Sequence, residues 1–184
     1  MSSQSGRRSD RAPAGVRRSA CTYRGRPTGV RHRGSGQSGP GPLSTLILDC
    51  SAAVALVLPD ESSAAVQAHL TRQGPDLVRV VVPSLWWYEC TNVLLQAARR
   101  GRLELAEARE ALSLLARLPH ETRDAASLID AVHLFHLSTQ FSITAYDAAY
   151  LALAETTGGS LLTLDKRLRD AAHDIDVDAP DLEA

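Results

Sequence analysis

Four acidic residues stand where acids are costly. Asp49 follows the apolar run LIL, Glu89 lies inside LWWYECTNVLL, Asp147 inside ITAYDAAYLALA, and Asp165 follows LLTL. An ionised carboxylate among apolar neighbours is unfavourable unless it is hydrogen-bonded, paired or bound to a cation. Four of them gathered in one place would also repel one another strongly. A hard divalent cation, Mg²⁺ or Mn²⁺, resolves both problems, because it takes oxygen ligands and keeps waters for a substrate phosphate. The chemistry this supports is metal-assisted hydrolysis of a phosphodiester, in which a bound water is acidified and a phosphoryl oxygen polarised. Taken singly, each acid reads as a structural group: Asp49 (helped by Ser51), Asp147 and Asp165 as helix N-caps, Glu89 on a solvated helix edge. Asp130 in SLIDAV reads as a plain cap. The four together, each in an apolar setting at a strand–helix junction or a helix start, favour the chemical reading.

The elements that must position them follow from the apolar patterning. Residues 45–58 (TLILDCSAAVALVL) run a short buried strand straight into an alanine-rich helix. Asp49 therefore sits at the carboxyl end of a strand, the edge where open α/β sheets bind ligands. A breaker at 59–62 precedes a second helix to about Arg72. Residues 77–82 read as a strand, and Pro83-Ser84 opens a helix through Arg99 with Glu89 one turn inside. Its buried side is expected at Leu85, Glu89, Asn92, Val93 and Gln96. Residues 103–118 form a helix and 121–123 a short strand. The helix over 127–140 is expected to turn Leu128, Val132 and Phe135 to the core. Asp147 heads a helix to Thr157, residues 160–164 form a strand, and Asp165 leads a last helix to about His173. Strands and helices in this alternation predict a parallel sheet covered on both faces, a three-layer α/β/α sandwich. Its strand-to-helix junctions open at one edge, and the helix headed by Asp147 need only start there.

Composition bounds the rest. The 184 residues suffice for one domain with a sizeable core, and 44% hydrophobic with 22% charged residues is ordinary for a globular protein. No apolar run approaches the roughly 18 residues that span a bilayer. The net charge of −1 hides an asymmetry. Residues 1–42 hold nine arginines and one acid, Asp10, and are rich in Gly, Ser and Pro, which predicts disorder. Of the 20 basic and 21 acidic residues in the chain, 11 and 20 fall in 43–184. The domain boundary is thus placed at 42/43. The front segment lacks the apolar stretch of a secretory signal. A basic arm for RNA fits its charge. The 19 arginines against one lysine, and the lack of any methionine after Met1, favour an over-extended start, with translation beginning near Val30 or Leu43. Cys21, Cys50 and Cys90 show no metal-binding spacing, and the last two read as small core residues in a reducing cytosol.

Over 43–180 the motifs resemble those of a PIN-domain ribonuclease of the VapC toxin branch. LILDCSA resembles the family's first strand and acid, VPSLWWYECTNVL its Pro–aromatic–Glu–Asn helix, ITAYDAAYLALA its third-acid motif and LLTLDKRL the segment of the fourth. The resemblance implies a Mg²⁺- or Mn²⁺-dependent endoribonuclease that cuts a structured RNA such as tRNA or rRNA. Asp49 and Asp147 match the main metal ligands and catalytic acids, Glu89 and Asp165 the supporting carboxylates. Ser51, Asn92 and Thr144 are candidates for the hydrogen bonds that orient them. A homodimer, silenced by a cognate antitoxin peptide in the cytoplasm, is also implied. Cys50 departs from the family, standing where a small residue is usual.

The residues themselves argue less strongly for RNA. The domain is acidic, so tight non-specific phosphate binding is not expected. Lys166, Arg167 and Arg169, beside Asp165, are the better placed of two cationic clusters, the other being Arg99, Arg100 and Arg102. Trp86 and Trp87 have the chemistry to stack bases, although core and interface positions suit them better. Two rival readings remain. An aspartyl-phosphate domain of receiver or phosphatase type would use Asp49 and Lys166, yet leaves Glu89 without a role and has Ser51 where a phosphatase wants a second Asp. A catalytically inactive partner-binding module would have no need of all four acids.

Overall fold

A computed structural model describes residues 44–58, 63–74, 78–124 and 127–182. The expectations for 1–42 (Cys21 included), for the breaker at 59–62 and for the Leu128 side chain lie outside them. In chain order the elements are β1 (Ser44–Leu48), α1 (Cys50–Val57), α2 (Ser63–Gln73), β2 (Val78–Pro83), α3 (Trp86–Arg99), α4 (Leu105–Leu115), β3 (Glu121–Arg123), α5 (Leu128–Phe141), α6 (Ala145–Thr157), β4 (Ser160–Leu162) and α7 (Lys166–His173). The order and type of the elements are those the patterning predicts, with ends shifted by a few residues.

The four strands form one parallel sheet in the order β3-β2-β1-β4. β1 lies between β2 and β4 and is covered on both faces, so Leu46, Ile47 and Leu48 are all fully buried. That is why its sequence is a continuous apolar run and not an alternating one. Helix α1 packs on α2, α3 and α4. Helix α6 lies against β1, β2 and β4, with α5 and α7 beside it. The three-residue β3 is pinned by Glu121, which accepts hydrogen bonds from the Arg79 guanidinium of β2 and from Arg123 Nε at 2.8 Å. Gly159 enters β4 so close to β1 that a Cβ there would stand 3.0 Å from the Thr45 carbonyl oxygen. On the outer side of β4 the Leu161 amide donates to the Asp178 carbonyl at 2.8 Å, so the returning chain covers an edge that would otherwise be open.

The strand order positions the site. From β1 the chain steps to β2 and then β3, and it returns across β1 to place β4 on the other side. The connections above β1 and β4 diverge in opposite directions, which opens a crevice outside their carboxyl ends.

Two expectations about helix faces are corrected. The buried stripe of α3 is Trp86, Cys90, Leu94 and Ala97, one residue around the helix from the expected Leu85, Glu89, Asn92, Val93 and Gln96. Both stripes are partly apolar, and only the packing of α3 on α1 and α4 selects between them. On α5, Val132 and Phe135 are 62% and 72% exposed, while Leu137 is buried, with Leu134 and Phe141 packed beside it. α5 carries two apolar stripes, of which only one faces the protein. Among the described residues no helix is long and apolar enough to cross a membrane.

Candidate active site

Asp49 follows β1 directly and caps α1, with its carboxylate 7% exposed. Its Oδ2 accepts from the Ser51 hydroxyl, from the Ser51 amide at 3.3 Å and from Thr163 Oγ1 at 2.8 Å. Burial pushes its pKa above the usual carboxylate range, and the hydrogen bonds from Ser51 and Thr163 oppose that shift. Thr163 stands between two acids: it donates to Asp49, and its oxygen accepts from the Asp165 amide at 3.0 Å. Ser51 Oγ in turn accepts from the Leu164 amide at 2.9 Å. The carboxyl ends of β1 and β4 are thus stitched together by two hydroxyls.

Glu89 sits in the first turn of α3, half-buried, and accepts a hydrogen bond from the Tyr150 hydroxyl of α6. Burial raises its pKa, the Tyr150 hydrogen bond lowers it, and the neighbouring charges of Asp49 and Asp147 raise it further. The Tyr150 phenol is itself fully buried and pushed well above its ordinary range, chiefly by burial. Its hydroxyl donates to Glu89 and so favours the ionised, acceptor form against the burial and neighbouring charges that raise the Glu89 pKa.

Asp147 is the third residue of α6, where it closes a reciprocal capping box with Thr144. Its Oδ2 accepts from the Thr144 amide at 3.1 Å and hydroxyl at 2.8 Å, and its own amide donates to Thr144 Oγ1 at 3.1 Å. α6 precedes β4, so it runs antiparallel to the strands and begins at their carboxyl edge. Asp165 caps α7, its Oδ1 accepting from the Arg167 amide at 2.7 Å and the Leu168 amide at 3.2 Å. Capping explains three of the four acids locally, yet all four line one cleft of about 400 Å³. The two roles are compatible. Among the described residues each carboxylate is held through one oxygen, Oδ2 of Asp49 and Asp147, Oε2 of Glu89 and Oδ1 of Asp165.

An all-carboxylate donor set in an open cleft suits a hard divalent cation. Among the described residues no three His, Cys, Asp or Glu side chains are grouped closely enough to hold a metal ion as they stand. Asp147 and Asp165 are held on their own helices, Asp49 by Thr163 from beyond β4, and Glu89 by Tyr150 of α6.

Of the other expected residues, Ser51 and Thr144 hold Asp49 and Asp147. Asn92 lines the cleft. Lys166 is engaged by Asp170 at 2.6 Å, and Arg167 is exposed at the start of α7. Arg169 is corrected as an RNA contact: it is 5% exposed and its guanidinium faces Asp181 at 3.7 Å. It sits one turn into α7 on the face packed under the returning chain. Trp86 is core, in edge contact with Trp87. Thr163 and Tyr150 escaped the sequence reading. The signals for them were a hydroxyl residue interrupting LLTL two residues before Asp165, and a tyrosine in an apolar helix that must find a partner for its hydroxyl.

With this geometry in view, comparison with known proteins is decisive. The sequence profile of the PIN domain matches residues 46–174. Ribonuclease VapC3 of Pyrobaculum aerophilum is 35% identical over 125 residues, covering 68% of this chain and 92% of the relative. This chain belongs to the PIN-domain family, in its VapC branch. Ribonuclease VapC9 of Mycobacterium tuberculosis is 33% identical over the same length, covering 68% of this chain and 89% of that protein. Among solved structures, PAE2754 of Pyrobaculum aerophilum superposes with a TM-score of 0.53 at 24% identity, covering 70% of this chain and 80% of its own. VapBC2 of Rickettsia felis, bound to a DNA fragment from its promoter, gives 0.53 at 11% identity, covering 74% and 97%. These two likenesses establish the PIN fold for the region they cover. The profile match takes in Asp49, Glu89, Asp147 and Asp165 alike.

Proposed function

We propose that this PIN domain is a divalent-metal-dependent endoribonuclease, the toxin of a type II toxin–antitoxin pair, acting in the cytoplasm on a structured RNA. The observation that carries the reading is the convergence of four carboxylates, from four separate elements, on one cleft at the switch point of the sheet. The relatives named VapC ribonucleases support the activity. The VapBC2 neighbour supports an antitoxin partner.

Asp49 and Asp147 would be the main holders of Mg²⁺ or Mn²⁺, with Glu89 and Asp165 in support. The chemistry such an ion would supply there is acidification of a water and polarisation of the scissile phosphate. The chain's own residues do the rest. Thr163 and Ser51 hold Asp49, Thr144 fixes Asp147, and Tyr150 holds Glu89 by a hydrogen bond from its hydroxyl. Lys166 cannot serve as a receiver-type lysine at Asp49, since it turns along its own helix to Asp170.

The test is expression of the chain with and without Asp49→Asn, comparing growth arrest and Mg²⁺-dependent RNA cleavage. Arrest and cleavage by the parent alone are expected, and equal behaviour of the two forms overturns the proposal. A homodimer, neutralised by an antitoxin encoded beside it, completes the reading.

A further inference from the structure

Two thiols adjoin two of the cleft's acids. Cys50 follows Asp49 and opens α1, and Cys90 follows Glu89 in α3; both are free and buried. The two helices pack on each other, and the two side chains are hydrogen-bonded thiol to thiol across that contact. Cys50 also lines the cleft, where it is 6% exposed, whereas Cys90 is 0% exposed. A small oxidant in the cleft therefore meets Cys50 first, with Cys90 already in contact behind it. Neither thiol has a part in the hydrolysis proposed above.

We propose that Cys50 and Cys90 form a reversible disulfide under peroxide, and that this bond weakens the metal site beside it. The Cys50 sulfur attacks the O–O bond of hydrogen peroxide and becomes a sulfenic acid, its proton and the departing hydroxide leaving as water. The Cys90 sulfur then attacks the sulfenic sulfur, and its proton leaves with the hydroxyl as a second water. The two thiols lose two electrons and the peroxide gains them. The hydrogen bond with Cys90 and burial push the Cys50 thiol above its usual range, so thiolate is scarce and the first step is slow. The pair answers sustained oxidation, not a brief pulse. In a reducing compartment such a bond is transient and is undone by thiols.

The bond acts on the site because each of its ends adjoins a site acid. Bonded sulfurs stand about 2.05 Å apart, nearer than two thiols in hydrogen-bond contact, so α1 and α3 must draw together at this point. A close-packed interior passes such a shift to its neighbours, here Asp49 and Glu89. Asp49 is meanwhile anchored on the β4 side, its amide to the Leu162 carbonyl at 3.0 Å and its carboxylate to Thr163. It is pulled between the two. This consequence rests on the nuclease reading for its meaning, while the disulfide itself does not.

The test uses the full chain carrying Cys21→Ser, which leaves Cys50 and Cys90 as its only cysteines. The metal-free protein is held in millimolar hydrogen peroxide for hours and freed of the oxidant. It is then digested without reduction for mass spectrometry and, intact, titrated with Mn²⁺. A Cys50–Cys90 cross-link within one chain is expected, with Mn²⁺ affinity lowered about 10–100-fold and restored by dithiothreitol. RNA cleavage should fall and recover in parallel. Cys50→Ala should form no cross-link and keep its Mn²⁺ affinity through peroxide, with a melting point near the parent's. Cys90→Ala should stop at a Cys50 sulfenic acid that dimedone traps. The proposal is overturned if both thiols stay reduced, if Cys50 runs on to a sulfinic acid with Cys90 free, or if the cross-link leaves Mn²⁺ affinity unchanged. A cross-link that lowers Mn²⁺ affinity in a parent that cuts no RNA upholds the switch and removes the nuclease reading instead.

Discussion

At the residue scale the site holds its acids under strain of charge. Asp49 and Glu89 have raised pKa values in the folded protein, because burial disfavours both ionised forms and, at Glu89, the charges of Asp49 and Asp147 add to it. An acid whose folded pKa exceeds its unfolded value binds protons more tightly when folded. Stability then falls as pH rises from the unfolded pKa through the folded one. The metal-free protein should accordingly melt higher as pH is lowered from 7 toward the ordinary carboxylate range. Asp49→Asn should melt about 2–4 °C above the parent at pH 7 and flatten that pH dependence, as calorimetry would show; a lower melting point at pH 7 would contradict the assignment of strain. Thr163→Val makes the opposite case. It removes one donor from Asp49 and leaves the Asp165 amide without its acceptor. A loss of about 1–3 kcal/mol in urea unfolding is expected, with Mn²⁺ binding weakened about 10–100-fold by titration calorimetry. Unchanged Mn²⁺ affinity would show that Thr163 does not orient the site.

At the scale of elements, the molecule contains a matched control. α5 and α6 open with the same capping box, Ser127 with Asp130 and Thr144 with Asp147. Only the second faces the cleft of acids. Asp130→Asn and Asp147→Asn should cost similar stability, about 0.5–2 kcal/mol each. Cleavage should survive the first and be lost in the second. If both variants still cut RNA, Asp147 is a cap and nothing more. The pairing shows why one local motif has two meanings: the capping interaction is set by neighbours three residues apart, while its use as a ligand depends on where the helix begins relative to the sheet.

At the scale of the whole molecule, the second apolar stripe of α5 stands uncovered among the described residues. Ile129, Val132 and Phe135 are 80%, 62% and 72% exposed. Contiguous apolar exposure of this kind marks an interaction surface, and the proposed homodimer gives it an occupant. Val132→Asp with Phe135→Asp should yield a monomer by light scattering and leave the melting point of the protomer near that of the parent. A double variant that remains dimeric would place the interface elsewhere.

The sequence by itself determined the order and type of the elements and singled out four acids that line one cleft, because strand runs, helix periodicity and caps are contacts between residues a few positions apart. It also placed Asp49 and Asp165 at strand ends, since an apolar run that stops at a charge says so locally. Tertiary structure alone decided the rest. The strand order β3-β2-β1-β4 makes β1 and β4 neighbours and so puts the crevice between Asp49 and Asp165. Thr163 meets Asp49 across 114 positions and Tyr150 meets Glu89 across 61, pairings that no local pattern encodes. The buried stripes of α3 and α5 were chosen by what each helix packs against. Local chemistry names the groups, and only the closing of the sheet decides which of them share a cleft.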